Sequence, residues 1–284
     1  MPELPEVENV VRTLGPMLHG RTIESVCEEF DGVFLDAAGV PEPWPRAIVG
    51  LRRRAKLIMI ELEGDLLLVV HLRMTGSLEV LAAGAPLAKH THVVIGLDRG
   101  KELRYRDPRR FGRVRLESVA SLAAEPFFAG LGPEPLEITA TELEQRLGTG
   151  RGAIKAVLLD QRRLAGIGNI YADEILHACG LHPGQPANTV LPREFPPMLA
   201  HMQRILGSAI RGGGSTIRDY RSPDGQAGSF QSSHEVFGRT GEPCPGCATP
   251  IRKIRVAGRG THFCPSCQPL RRRKPRRQSS SRTS

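Results

Sequence analysis

The chain has 284 residues, 40% hydrophobic and 24% charged, which is enough to bury a sizeable core in two domains and excludes a small disulfide scaffold. Its longest unbroken aliphatic run, Leu66 to Val70, falls far short of the roughly 20 residues a membrane span needs; Glu3, Glu6 and Glu8 stand where a secretory signal places cations, so a cytoplasmic protein is expected. The net charge of +9 points to a polyanionic partner, yet Arg271, Arg272, Arg273, Lys274, Arg276, Arg277 and Arg282 supply seven of those charges with no acid among residues 268–284, leaving residues 1–267 at +2.

Pro5 suits the first turn of a helix, Glu6 and Glu8 favour its positive end, and Val7, Val10, Val11, Leu14 and Leu18 recur at helical spacing, so the first helix runs to about Leu18. From Arg21 to Leu116 the pattern changes to short aliphatic or alternating runs: Thr22–Glu28, Leu57–Leu62, Leu66–Leu72, Ser77–Leu81, Thr91–Leu97, Glu102–Arg106 and Arg113–Leu116. Glycines or charged turns separate most of them, as in an antiparallel sandwich or barrel. The stretch LGPEPLEIT, Leu131 to Thr139, marks a domain boundary with two prolines and a glycine. Beyond it the spacing predicts helices over Thr141–Leu147, with Thr141 and Glu144 as a capping box, over Ala153–Leu159, from an Asn169 cap through Cys179, and over about Met198–Ile210.

Two local signals carry chemistry. Cys244-Pro-Gly-Cys247 and Cys264-Pro-Ser-Cys267 can bring four thiolates into the tetrahedron that Zn2+ accepts, and four sulfurs leave no open coordination position, so this metal is structural. Between the two knuckles, Ile251–Val256 and Thr261–Cys264 form a hairpin whose turn, Ala257-Gly-Arg-Gly260, displays Arg259. The second signal, Gly166-Ile-Gly-Asn169 opening a helix, exposes backbone N–H groups that suit a phosphate or simply permit close packing. The Pro- and Ser-containing tail reads either as a solvated extension or as a disordered arm for nonspecific phosphate contact.

MPELPEVE, DPRRFG at Asp107 to Gly112, LGPEPL, GIGNIYADE and the terminal cysteine pairs, in this order, resemble the bacterial formamidopyrimidine-DNA glycosylase family over residues 1–267. The resemblance implies an α+β protein: an N-terminal antiparallel β-sandwich with flanking helices (1–130), a helix-two-turn-helix module (131–231) and a zinc-finger hairpin (232–267), followed by the basic tail (268–284). It implies a monomeric, bifunctional glycosylase and AP lyase of base-excision repair, a hydrolase and lyase that binds damaged double-stranded DNA and excises oxidised purines by β,δ-elimination. A Pro2 amine exposed by loss of Met1 is then the nucleophile, Glu3 the acid/base, Lys56 a phosphate contact and proton donor, and Arg259 the δ-elimination residue. His71, His90, Arg109, Arg151, Lys155 and Asn169 become DNA contacts, although His71 also reads as a core residue and Asn169 as a helix cap. Met74, Arg109 and Phe111 would fill the void left by an extruded base, and Lys155 with the loop Ser222–Phe230 would cover the lesion. The chain departs from the family at Arg73, where glycine is usual, at Ser229, where tyrosine is common, and at Gly150, where a basic contact is expected. An endonuclease VIII-like enzyme for oxidised pyrimidines is the alternative within the family, disfavoured by the PELPEVE start. A noncatalytic zinc-finger DNA-binding protein is the alternative from another class.

Overall fold

The structure is a computed structural model that describes residues 1–216 and 222–271. Helix α1, Leu4–Leu18, places Leu4, Val7, Val10, Val11, Leu14 and Leu18 on its buried face, as the spacing predicts. Nine strands follow: β1 (Thr22–Glu28), β2 (Phe34–Asp36), β3 (Arg46–Arg54), β4 (Leu57–Leu62), β5 (Leu66–His71), β6 (Ser77–Ala82), β7 (Thr91–Leu97), β8 (Lys101–Arg106) and β9 (Arg113–Ser118). Their order is β2-β9-β5-β4-β3-β1-β7-β8-β6, antiparallel except for the β2–β9 pair. The ladder that joins the two halves, β1 with β3, is short, pairing Thr22 with Ala47 and Ile23 with Arg46, and the sheet folds over at that seam. Ile58, Ile60, Leu68 and Val70 of one half and Ile23, Val93, Ile95 and Leu103 of the other then share a single core with α1. Of the sandwich and the barrel that the alternating runs allow, this is the sandwich.

Two strands have no signature in the sequence. In β3, RAIVGLRRR, only Ile48 is buried, so the period of two never develops. Strand β2 has three residues and depends on its parallel partner β9.

Short helices α2 (Val119–Ala124) and α3 (Pro126–Ala129) cover the outer face of the sheet, where Leu122 and Phe128 pack on Leu57, Met59, Leu67 and Val69. The second unit contains α4 (Ala140–Leu147), α5 (Ile154–Leu159), α6 (Asn169–Ala178) and α7 (Phe195–Arg211) around one core. The cap of α4 corrects the expected one. TATELE contains two overlapping Thr-x-x-Glu patterns, and the helix uses the first: Thr139 N donates to Glu142 Oε2 at 2.9 Å, while Thr139 Oγ1 accepts from Glu142 N at 3.3 Å.

Strands β10 (Arg252–Val256) and β11 (Arg259–Phe263) form the terminal hairpin. Its turn is tighter than expected: Val256 pairs with Arg259, so Arg259 opens β11 rather than occupying a four-residue loop. Of the basic tail, Arg271 is held by Glu194 through two hydrogen bonds of 2.6 and 2.8 Å; Arg272, Arg273, Lys274, Arg276, Arg277 and Arg282 lie outside the described residues.

Candidate active site

Residues of all three units converge on one cavity of about 450 Å³. The sandwich contributes Glu3, Lys56, His71 and Met74, the helical unit Gln161, Ile167, Gly168 and Asn169, and the hairpin Arg259. Met1 also lines it, and the adjoining Pro2 is buried.

Glu3 precedes α1 but caps α6. Its carboxylate accepts from Gly168 N at 2.8 Å, Ile170 N at 2.9 Å and Tyr171 N at 3.4 Å, taking the place an anion takes at a helix N-terminus. This corrects the reading of Asn169 as the cap. Gly168 holds the cap position, a Cβ there would come within 2.3 Å of the Glu3 carboxyl carbon, and the Asn169 amide is released to donate to Gly260 O at 3.0 Å. Burial raises the Glu3 pKa above the usual carboxyl value, opposed by Lys56 and by the N–H groups of Ile170 and Tyr171. A carboxyl tuned upward in this way can carry a proton to a leaving or opening group.

Behind Glu3 lies a second buried carboxyl, Glu6, to which the sequence pattern assigns only a part in helix polarity. Glu6 accepts from Glu3 N and from Ser215 N, both at 2.8 Å, and from Tyr171 Oη at 2.6 Å. Burial, then the neighbouring Glu3 charge, pushes its pKa up to about 7. Because this value lies above that of an unfolded-chain glutamate, the folded protein holds the extra proton between about pH 4.5 and 7, and stability falls as pH rises through that window. Replacing Glu6 by Gln should flatten the pH dependence of chemical-denaturation stability there, by up to about 1.4 kcal/mol per pH unit. An unchanged slope would show that Glu6 is ionised throughout.

Lys56 is buried, donates to Ile167 O at 3.0 Å, and has its pKa lowered by burial, with Glu3 and Glu6 opposing. Its strand end is fixed from across the domain boundary: Glu134 accepts from Arg53 at 2.5 Å, from Arg54 at 2.9 Å and from Ala55 N at 2.7 Å. His71 is not a core residue but lines the cavity. Burial, Arg73 and Lys56 push its pKa down to about 4, and Nδ1 accepts from Arg73 N at 3.0 Å, so the neutral ring carries its proton on Nε2.

Met74, Arg109 and Phe111 stand together and exposed: the Arg109 guanidinium lies 3.2 Å from the Met74 sulfur and 4.6 Å from the centre of the Phe111 ring. One buried carboxylate organises both loops. Asp107 accepts from Thr75 Oγ1 at 2.5 Å, Gly112 N at 2.9 Å, Arg109 N at 3.1 Å and Tyr105 Oη at 3.2 Å. Its place as the first residue of DPRRFG was the available signal. Arg73 adopts φ 52°, the left-handed region that favours glycine, which explains why a glycine there is the easier choice and why this wedge loop carries some strain. His90, also left-handed, accepts at its backbone carbonyl from Asp107 N at 3.0 Å and lies half-exposed beside this loop. Arg151 is exposed at the start of α5. Gly150 is explained sterically: a Cβ would meet Val157 at 2.7 Å, so a basic side chain cannot stand there unless α5 shifts.

Lys155, a DNA contact over the lesion by resemblance, is buried in the structure. Its ammonium is fully enclosed, 2.6 Å from Asp173 Oδ1 and 2.8 Å from Thr261 Oγ1. Of the loop Ser222–Phe230, Ser229 is bonded through its hydroxyl to Gly212 O at 3.0 Å; residues 217–221 lie outside the described residues. Phe127, 51% exposed on the cavity wall, carried no signal in the sequence.

The four cysteine sulfurs lie within 4.8 Å of one another, with separations of 3.8 Å for Cys244–Cys267 and 3.4 Å for Cys247–Cys264. Zinc–sulfur bonds of about 2.3 Å imply tetrahedral edges of about 3.8 Å, so the donor set fits one structural Zn2+. His177 Nε2 lies 3.5 Å from Cys244 Sγ and its Nδ1 2.8 Å from Glu235, tying the finger to α6.

A sandwich, a helical module and a four-cysteine finger, meeting at a cavity that Met1, Glu3, Lys56 and Arg259 line, define a zinc-containing enzyme that works on DNA. Family models match at residues 1–114 (formamidopyrimidine-DNA glycosylase N-terminal domain), 131–221 (formamidopyrimidine-DNA glycosylase H2TH domain) and 241–270 (zinc finger found in FPG and IleRS). The formamidopyrimidine-DNA glycosylase of Moorella thermoacetica is 48% identical over 90% of this chain and 95% of its own length, and that of Geobacillus kaustophilus 44% over 94% and 100%. The crystal structure of the MutM (Fpg) protein from Thermus thermophilus superposes with a TM-score of 0.86 at 39% identity, covering 95% of this chain and 100% of that one. Lactococcus lactis Fpg in complex with abasic-site DNA gives 0.85 at 35% identity, over 94% and 99%. The chain belongs to the formamidopyrimidine-DNA glycosylase family.

Proposed function

We propose that this protein is a bifunctional DNA glycosylase and AP lyase of base-excision repair, excising 8-oxoguanine and formamidopyrimidines through Pro2 and cutting the strand by β,δ-elimination. The observation that carries this reading is the convergence of Glu3, Lys56 and Arg259 on the cavity that Met1, the residue bonded to the Pro2 nitrogen, also lines.

With Met1 gone, the Pro2 nitrogen is a secondary amine of reference pKa about 7.7 to 8, so roughly a tenth or more is neutral at pH 7. Its lone pair attacks C1′ of the extruded nucleotide as the C1′–base bond breaks, and Glu3 is placed to deliver a proton to the opening sugar. The resulting iminium has no N–H to lose and stays cationic. It therefore acidifies C2′–H, whose loss expels the 3′-phosphate; a second elimination expels the 5′-phosphate. Lys56 and Arg259 face these departing anions, and neutral His71 offers its Nε2–H to a phosphate oxygen. Met74, Arg109 and Phe111 fill the vacated stack, with Asp107 holding them in one arrangement. Arg151, His90 and Asn169 complete the surface presented to duplex DNA.

The protein works as a monomer in the bacterial compartment that holds the chromosome; no helix among the described residues is long and apolar enough to cross a membrane. We assign residues 1–130 to the catalytic sandwich, 131–231 to the helical module, 232–267 to the finger and 268–284 to a basic arm. End-labelled duplexes carrying 8-oxoguanine opposite cytosine should be cut to ends bearing phosphate on both sides of a one-nucleotide gap. Intact strands, or a preference for an oxidised-pyrimidine duplex, would overturn the purine assignment.

The arm makes a separate prediction. Truncation after Arg271, which spares the buried Gln268 and the Arg271–Glu194 pair, should lower the dependence of log K on log salt by up to about 0.9 for each phosphate the arm neutralises, while the preference for damaged over undamaged duplex stays nearly constant. Equal slopes would mark the arm as idle.

A further inference from the structure

Helix α6 grips the catalytic centre at two heights. Its first turn binds the Glu3 carboxylate through Gly168, Ile170 and Tyr171 N–H groups. One turn on, Asp173, 1% exposed, binds the hairpin: Oδ2 accepts from His262 N at 2.8 Å, while Oδ1 pairs with Lys155 Nζ at 2.6 Å. Lys155 in turn donates to Thr261 Oγ1 at 2.8 Å and to Gly260 O at 3.3 Å, and Thr261 Oγ1 donates to Arg259 O at 3.1 Å. The three residues that follow Arg259 are thus all fastened to α5 and α6 inside the protein.

The geometry points to Asp173, acting with Lys155, as a positioning residue that sets Arg259 relative to the Pro2 amine and so determines how far strand scission proceeds beyond the first elimination. This deepens the function proposed for the site and rests on the role given there to Arg259. The physical ground is that an ion pair with both side chains fully enclosed admits few geometries, whereas a two-stranded hairpin reaching over a cavity is by itself free to tilt. Two helices at fixed separation convert that freedom into a single placement of the arginine. Lys155 has no capacity left to reach a lesion without abandoning Asp173.

Three variants test the idea in the full-length, zinc-loaded protein on duplex containing an abasic site. Asp173→Asn keeps an acceptor for His262 N but leaves the Lys155 ammonium buried without its counter-charge; Lys155→Met leaves the carboxylate unpaired. Each should lower the ratio of δ- to β-elimination product by roughly tenfold or more, the change that about 1.4 kcal/mol of impaired orientation produces. Borohydride trapping through Pro2 should stay within about twofold and zinc at one per chain, a split that general unfolding would not give. The double variant, which removes both charges, should recover part of the ratio, and Asp173→Asn should add nothing in an Arg259→Ala background. If Arg259→Ala lowers the ratio and Asp173→Asn does not, the positioning inference is overturned while Arg259 keeps its role. If Arg259→Ala leaves the ratio unchanged, the role of Arg259 falls and the inference with it. A Lys155→Met protein with normal product ratio but a raised KM for lesion DNA would restore Lys155 as a direct contact and overturn the inference.

Discussion

Protein from which Met1 has been removed is expected to become covalently fixed to lesion-containing duplex in the presence of borohydride, with the new bond at the Pro2 nitrogen. Reduction converts the iminium to a stable amine, so the trapped fraction reports how much of the protein passes through that intermediate. A competing amine sits in the same cavity: burial lowers the Lys56 pKa and so raises its neutral fraction. Lys56 is nevertheless held by Ile167 O and faced by the Glu3 charge, which favours its ammonium form and a role against phosphate. Two forms of the protein discriminate. An N-terminal extension that keeps Pro2 as an amide should reduce trapping to the level of a no-enzyme control while leaving duplex binding measurable. Lys56→Met should still trap at Pro2, with slower elimination afterwards. Peptide mapping that finds the adduct on Lys56 in the processed protein would reverse the assignment.

Some parts of this architecture are legible in the sequence and others are hidden for identifiable reasons. Helix α1 and strands such as Thr91–Leu97 announce themselves because one face is buried along their whole length, and the cysteine pairs because four thiolates at that spacing have few other uses. Strand β3 is silent because only one of its residues, Ile48, is buried, and its polar end serves the ion network around Glu134. The larger gap concerns side chains whose partners lie far away in sequence. Nothing local distinguishes Glu3 as the cap of a helix beginning at residue 169, and the local rule instead nominates Asn169. Nothing in the sequence around Lys155 announces its burial either, and only the tertiary arrangement shows it enclosed by Asp173 and Thr261. It is the family resemblance, not residue type alone, that nominates Pro2, Glu3 and Lys56 for the proposed chemistry, and the approach of Glu3 and Lys56 to Arg259 depends on the interdomain contacts Leu4 N to Gly166 O and Ala55 N to Glu134.

The metal is expected to have the other large effect. Removing zinc with a chelator, or replacing Cys264 by Ser, should unfold the β10–β11 hairpin, because that cysteine is fully buried and the finger's own core consists of little beyond Val236, Ile251 and the cysteines themselves. So small a cluster cannot offset the ordering entropy of some thirty residues, whereas structural zinc contributes about 10 to 16 kcal/mol in zinc-finger peptides at pH 7. The damage should stay local. Glu3 remains bound to the first turn of α6, and the core that α6 shares with α7 takes only Phe237 from the finger. Arg259, in contrast, loses its platform, and Asp173 and Lys155 lose the groups they hold on the hairpin. Metal-free protein should therefore bind lesion duplex at least about tenfold more weakly and give little δ-elimination product, yet still trap on abasic DNA when protein is saturating, since the Pro2 amine and Glu3 are intact. Zinc analysis, circular dichroism and salt-controlled binding on the same preparation separate these effects. Full affinity in protein shown to be metal-free would mean that the hairpin holds its shape through its docking on α6 alone, and the finger would then be a rigid extension of the helical module with zinc incidental to DNA binding.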